Sequence, residues 1–173
     1  MRRIEIIFAA LLLAALSVPA LGMSSASVKD DGYMDDGSKV DTAKEMKLFQ
    51  NNTGYMIFDI KDLEKLGDYN QAYLLIYSQG NDLGSGWVDI TGKQGEVPAN
   101  EFDGLTETVF SFENRLNKKV LAVDVTKLTM LAQMNQNNSL AFRLSAGGEE
   151  IEQGGEVLFE SKESGNPAKI VVV

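Results

Sequence analysis

Hydrophobic and polar residues alternate most cleanly in Gly54-Tyr55-Met56-Ile57-Phe58-Asp59-Ile60. Side chains of an extended chain point to alternate faces, so Met56, Phe58 and Ile60 fall on one side and Tyr55, Ile57 and Asp59 on the other. A second run, Ala72-Tyr73-Leu74-Leu75-Ile76-Tyr77, places Tyr73, Leu75 and Tyr77 on one face. Between the two runs, 61–66 offers one helical turn with Leu63 and Leu66 inward at i, i+3. Further short strands are predicted at 46–49, 87–90, 108–112, 120–125, 140–144, 157–160 and 170–173. Residues 27–53, with two Asp-Gly steps, read as turn-rich, with short edge strands at Val28 and Tyr33-Met34. One helix is expected at 126–135, with Thr126 as its cap and Leu128, Leu131 and Met134 at helical spacing. Nine or ten short strands and one short helix, separated by polar loops, predict an all-β fold. The expected architecture is an antiparallel β-sandwich of jelly-roll type.

The amino terminus changes the domain count rather than the fold. Arg2 and Arg3 precede an apolar run at 4–16, broken by Val18-Pro19-Ala20. About 12 apolar residues are too few for a stable membrane anchor across a core ~30 Å thick. Small residues at Ala20 and Gly22, or at Ser24 and Ala26, suit a signal peptidase. Residues 1–26 therefore read as a secretory signal and 27–173 as a single domain, secreted or held at the cell surface. No membrane contact is expected after signal removal. Beyond residue 26 the chain carries 14 basic and 24 acidic residues, a balance that repels nucleic acid. It contains neither cysteine nor histidine. The fold must thus be held by its core, and Ser-His-Asp and Cys-His nucleophile systems are excluded. No phosphate-binding glycine loop or nucleophile elbow is present either, so a non-enzymatic role is expected.

Several motifs, taken in order, resemble a known family. They are Tyr55-Met56-Ile57-Phe58-Asp59-Ile60, Gln71-Ala72-Tyr73-Leu74-Leu75-Ile76-Tyr77, Val123-Asp124-Val125-Thr126, Leu140-Ala141-Phe142-Arg143-Leu144, Phe159-Glu160-Ser161-Lys162-Glu163 and Asn166-Pro167-Ala168-Lys169-Ile170-Val171-Val172. Their order and spacing over residues 28–173 resemble the DNRLRE-type domain of secreted and cell-surface proteins, which is related to disaggregatase repeats and carbohydrate-binding modules. The stretch 87–98 departs from that pattern, lacking the usual Thr-Trp pair before its proline. The resemblance implies a jelly-roll sandwich, an extracellular setting and a non-catalytic role in glycan binding or surface assembly.

Candidate chemistry lies in the loops. Trp87, the single tryptophan, stands between glycines and Asp89, with Asn81 and Asp82 before it and Gln94 after. Sugars stack an apolar face on an aromatic ring while carboxylates and amides bind their hydroxyls, so Trp87, Asp89, Asn81 and Asp82 form the candidate carbohydrate site. A buried core tryptophan is the competing reading. Asp30, Asp31, Asp35 and Asp36 form the densest acidic cluster, and Ca²⁺ is the ion that six to eight oxygens of this kind would take. A solvated turn is the alternative there, as it is for Glu149, Glu150 and Glu152. Asn51 and Asn137 begin glycosylation sequons. The expected partners are a polysaccharide or cell-surface glycan, or further copies of the chain, as in a surface layer, sheath or filament.

Overall fold

The structure, a computed structural model, describes residues 24–35, 38–40, 45–50, 52–78, 87–96, 108–112 and 120–173; of 108–112 and of Glu150 it describes the backbone alone. Eleven strands lie in these residues: β1 Ser25–Asp35, β2 Ser38–Val40, β3 Glu45–Leu48, β4 Thr53–Asp59, β5 Ala72–Tyr77, β6 Trp87–Gln94, β7 Thr108–Phe112, β8 Val120–Asp124, β9 Ser139–Gly147, β10 Val157–Glu160 and β11 Lys169–Val172. The helix α1 spans Thr126–Met134, and a single turn, α2, spans Glu149–Glu152.

Eight strands pair as one long hairpin would if rolled up: β1 with β11, β4 with β9, β5 with β8, and β6 with β7, all antiparallel. Rolling adds the pairs β11–β5 and β9–β6, giving the path β7-β6-β9-β4-β1-β11-β5-β8. This is the antiparallel jelly-roll sandwich, as the alternation predicts. The sheets share β1. Its first residues, Ser25 to Ser27, pair with β11, and the stretch from Val28 to Met34 pairs with β4. A bulge lies between Val28 and Asp30, and such bulges let one strand turn the corner between two sheets. The smaller sheet is β1-β11-β5-β8 and the larger is β1-β4-β9-β6-β7, with β2 beside β1. Segment 27–53 thus differs from expectation. Its Asp31-Gly32 step sits within a central strand rather than in a turn, because both flanks of β1 find ladder partners. The strand starts at Ser25, inside the segment read as a signal. Cleavage after Ala26 would remove partners of Val171 and Ile170, whereas cleavage after Gly22 would leave them.

The core lies between the sheets. Met56, Phe58 and Ile60 point into it beside Leu74, Ile76, Val88, Ile90, Val123, Phe142 and Ile170. Phe58 and Phe142 meet edge to face, their ring centroids 5.7 Å apart at 81°. The β3–β10 pair closes one end with Met46, Leu48, Val157 and Phe159, all fully buried. β3 crosses β4 so closely that a Cβ on Gly54 would stand 2.6 Å from Met46 Sδ and 2.9 Å from Leu48 Cδ2, which only glycine avoids.

Two details of α1 depart from the sequence reading. Its buried positions are Leu128, Thr129 and Ala132, while Leu131 and Met134 face solvent, Met134 being 71% exposed. Thr126 does not cap the helix. Its hydroxyl accepts the Ala72 amide at 2.9 Å across the β5–β8 ladder, and Asp124 Oδ1 accepts the Thr126 amide at 2.9 Å instead. The 61–66 turn is irregular, though Leu63 is buried and Leu66 packs against the core as expected. Strand β6 runs to Gln94, four residues past the predicted end, because its full length pairs with β9.

Candidate functional site

On β6 the buried residues are Val88, Ile90 and Gly92, so Trp87, Asp89, Thr91 and Lys93 face outward from the larger sheet. Trp87 stands opposite Gly147 of β9, and Asp89 stands opposite Ser145 on β9 and Ser111 on β7. The indole packs on Gly147: a Cβ there would come 2.7 Å from Cε2 and Cζ2 and 2.9 Å from Nε1. The missing side chain is what makes the seat, since an aromatic ring on one strand covers a glycine on the next. Trp87 is 38% exposed and is not a core residue. Same-face neighbours along a strand are about 7 Å apart, which puts the Asp89 carboxylate within reach of a ring stacked on Trp87.

The same outer face carries a row that runs across four strands, Gly32, Tyr55, Arg143 and Thr91. Sequence reading did not single out Arg143, whose place follows only from the β4–β9 register. Tyr55 is fully buried although it lies outside the core, and the Lys39 ammonium sits 5.0 Å from its ring centroid. Tyr55 is therefore covered, and among the described residues the open aromatic on this face is Trp87. Of the other predicted partners, Asn81 and Asp82 lie outside the described residues. Gln94 lies at the far end of β6, about 23 Å from Trp87 at ~3.3 Å per residue. There its Oε1 accepts from Asn135 Nδ2 at 2.9 Å and from Asn137 Nδ2 at 3.0 Å. It braces the end of α1 rather than the Trp87 seat.

Two residues of the acidic cluster are bonded within the fold. Asp30 Oδ1 accepts from Lys162 Nζ and Oδ2 from Lys39 Nζ, each at 2.9 Å. Burial opposes its charge, but the two ammoniums outweigh that and hold the Asp30 carboxyl below the usual range. Asp31 shares the inner row with Met56 and is fully buried. Its Oδ2 accepts the Lys162 amide at 2.8 Å, while Oδ1 has no partner among the described residues. Burial pushes its carboxyl up to about 6, helped by the negative charge of Glu163 and opposed by the Lys162 amide. Asp35 ends β1, exposed, and Asp36 lies outside the described residues. Both oxygens of Asp30 are engaged by ammoniums, and the Asp30 and Asp31 side chains leave opposite faces of the strand. Among the described residues no three Asp or Glu side chains come together as a metal site.

The pair fastens the turn after β10 to β1. Lys162 is gripped through both its amide and its ammonium, and Val28 donates its amide to Ala168 at 3.1 Å from the end of that turn. Ser161, Lys162 and Glu163 are thus a clamp built from the chain's own closing motif. Asn137 Nδ2, where a glycan would attach, is engaged by Gln94, and Asn51 lies outside the described residues. Glu149 and Glu152 lie on α2, which Ile151 anchors from within the core. Comparison with known proteins finds no family model that matches this chain and no curated protein that matches it.

Proposed function

We propose that the protein is a secreted, non-catalytic module that binds extracellular or cell-surface polysaccharide on the outer face of its larger sheet. One observation carries the reading. Trp87 packs on Gly147 while remaining 38% exposed, and Asp89 and Ser145 stand on the same face of the sheet. A pyranose presents an apolar face to such a ring and hydroxyls to such acceptors. The resemblance to DNRLRE-type modules and the lack of histidine and cysteine nucleophiles support a binding rather than a catalytic role. The test is retention on immobilised surface polysaccharides or a glycan array, for wild type and Trp87→Ala, each with and without calcium chelation. Loss of retention in Trp87→Ala, with the β-sheet circular dichroism unchanged, is the expected result. Equal retention by both proteins would overturn the site. Chelation reports separately whether calcium takes part.

A second reading, a structural subunit that assembles through strand contacts, is favoured by the two ends of the sheet path. β7 and β8 each have one strand neighbour among the described residues, which leaves each an edge for addition.

A further inference from the structure

The direction in which β8 turns its backbone groups can be read from one hydrogen bond. Val125 donates its amide to the Ala72 carbonyl at 2.9 Å. The ladder continues with Tyr73 opposite Asp124, Leu74 opposite Val123, Leu75 opposite Ala122, Ile76 opposite Leu121 and Tyr77 opposite Val120. Bonded and non-bonded pairs alternate in an antiparallel ladder. Val123 and Leu121 therefore turn their N–H and C=O toward β5, as Val125 does. Asp124, Ala122 and Val120 turn theirs to the open side, where no strand pairs among the described residues.

Among the described residues that edge carries one of the usual protections, the charge of Asp124 at its end. Val120-Leu121-Ala122-Val123 holds no proline and no charge, and the β5–β8 register runs without a bulge. It is also self-complementary. Laid antiparallel against a second β8 about a two-fold axis at Ala122, Ala122 faces itself and Val120 faces Asp124. Each outward-turned pair then exchanges both of its backbone bonds. The one acid of the strand meets a valine in this arrangement, whereas parallel addition would set carboxylate beside carboxylate. Leu121 and Val123 face each other on the inner side and are already in the core, so pairing carries that core across the axis. The contact is isologous and closes on a dimer.

We propose that two copies of this chain pair through β8, antiparallel about a two-fold axis at Ala122, and so join their smaller sheets into one. The proposal rests on the reading of the chain as one that assembles through strand contacts, and it stands apart from glycan binding. Sedimentation and light scattering over a wide concentration range would test it, on wild type, Ala122→Pro and Ala122→Lys. Proline removes an N–H that the β5–β8 ladder does not use, and lysine sets two ammoniums against each other at the axis. The expected result is a concentration-dependent wild-type dimer that both variants lose while melting as wild type does. If Ala122→Pro unfolds, Ala122→Lys decides alone. Dimers or larger species that persist in the folded variants overturn the β8 pairing and leave assembly through another edge standing. A wild type that stays monomeric at every concentration overturns both.

Discussion

Asp31 and Trp87 each lie on the side of the sandwich where their residue type is least expected. The aspartate points inward beside Met56 and is fully buried, and the tryptophan lies on the outer face. The contrast has a geometric cause. Val28 points into the core, and simple alternation from it would turn Asp30 inward and Asp31 out. The bulge between Val28 and Asp30 reverses the phase, so Asp30 meets Lys39 and Lys162 outside while Asp31 enters the interior. No such slip occurs between Trp87 and Ile90, so the buried Val88 and Ile90 place Trp87 outward. One position is spent on holding the fold together. For the other, the contact shown among the described residues is a glycine, and the ring stays 38% exposed, which is why a ligand site is proposed there.

Both positions hang on the β1–β4–β9 ladder, so the largest effect belongs to its core. Phe58→Ala removes a fully buried ring packed edge to face on Phe142. It should cost about 3–5 kcal/mol in denaturant unfolding, and the Lys162 clamp and the Trp87 seat should be lost together at one midpoint. Separate transitions for the two regions would show that they do not share a frame.

Asp31→Asn acts on one region alone. The folded-state carboxyl is raised from 3.8 to about 6, so the fold favours the protonated, neutral form. The stability this lends wild type is complete below the unfolded value and is lost as pH rises through the folded one. Asparagine keeps a neutral group and an acceptor for the Lys162 amide at every pH. The variant should therefore be more stable than wild type above about pH 7, by on the order of 3 kcal/mol. The advantage should shrink through the range between the two values and vanish near pH 4. Thermal melts of the pair across this range would check it. An advantage that grows toward acid pH would mean that Asp31 is ionised and satisfied in the fold.

How much of this was legible before the structure follows from the same two residues. The strands at 54–60 and 72–77 were readable because the first alternates, the second is an unbroken apolar and aromatic run, and each inner residue is apolar. The eleven-residue β1 was not. Its Asp-Gly steps carry turn chemistry, and only ladder partners far along the chain, Phe58 and Ile170 among them, override it. The clamp was hidden for a like reason, since Asp31 and Lys162 are 131 positions apart. On α1, helical spacing joined Leu128, Leu131 and Met134, but the face that meets the sheets is set by Val125, Leu128, Thr129 and Ala132. The Trp87 seat was half legible. Its residue type and its Asp89 neighbour suggested a sugar site, with a buried core tryptophan as the competing reading, but the glycine that matters, Gly147, is brought there by the β6–β9 register.

Gly147→Ala gives the smallest expected effect on stability and bears most directly on the outer region. The new methyl would overlap three indole atoms at 2.7–2.9 Å, so the ring must leave its seat. Trp87 is partly exposed and can swing toward solvent, which limits the cost to about 1 kcal/mol where a buried overlap would cost ~1–3 kcal/mol. The chain has one tryptophan, so its fluorescence reports this ring alone, and the emission should move to longer wavelength as the indole becomes more hydrated. Polysaccharide retention should weaken with it, although no group that touches the sugar has been removed. Unchanged emission would mean that the indole does not rest on Gly147. A shifted emission with full retention would mean that the ring is seated there and the glycan binds elsewhere, so the two measurements together separate the geometry of the seat from its use.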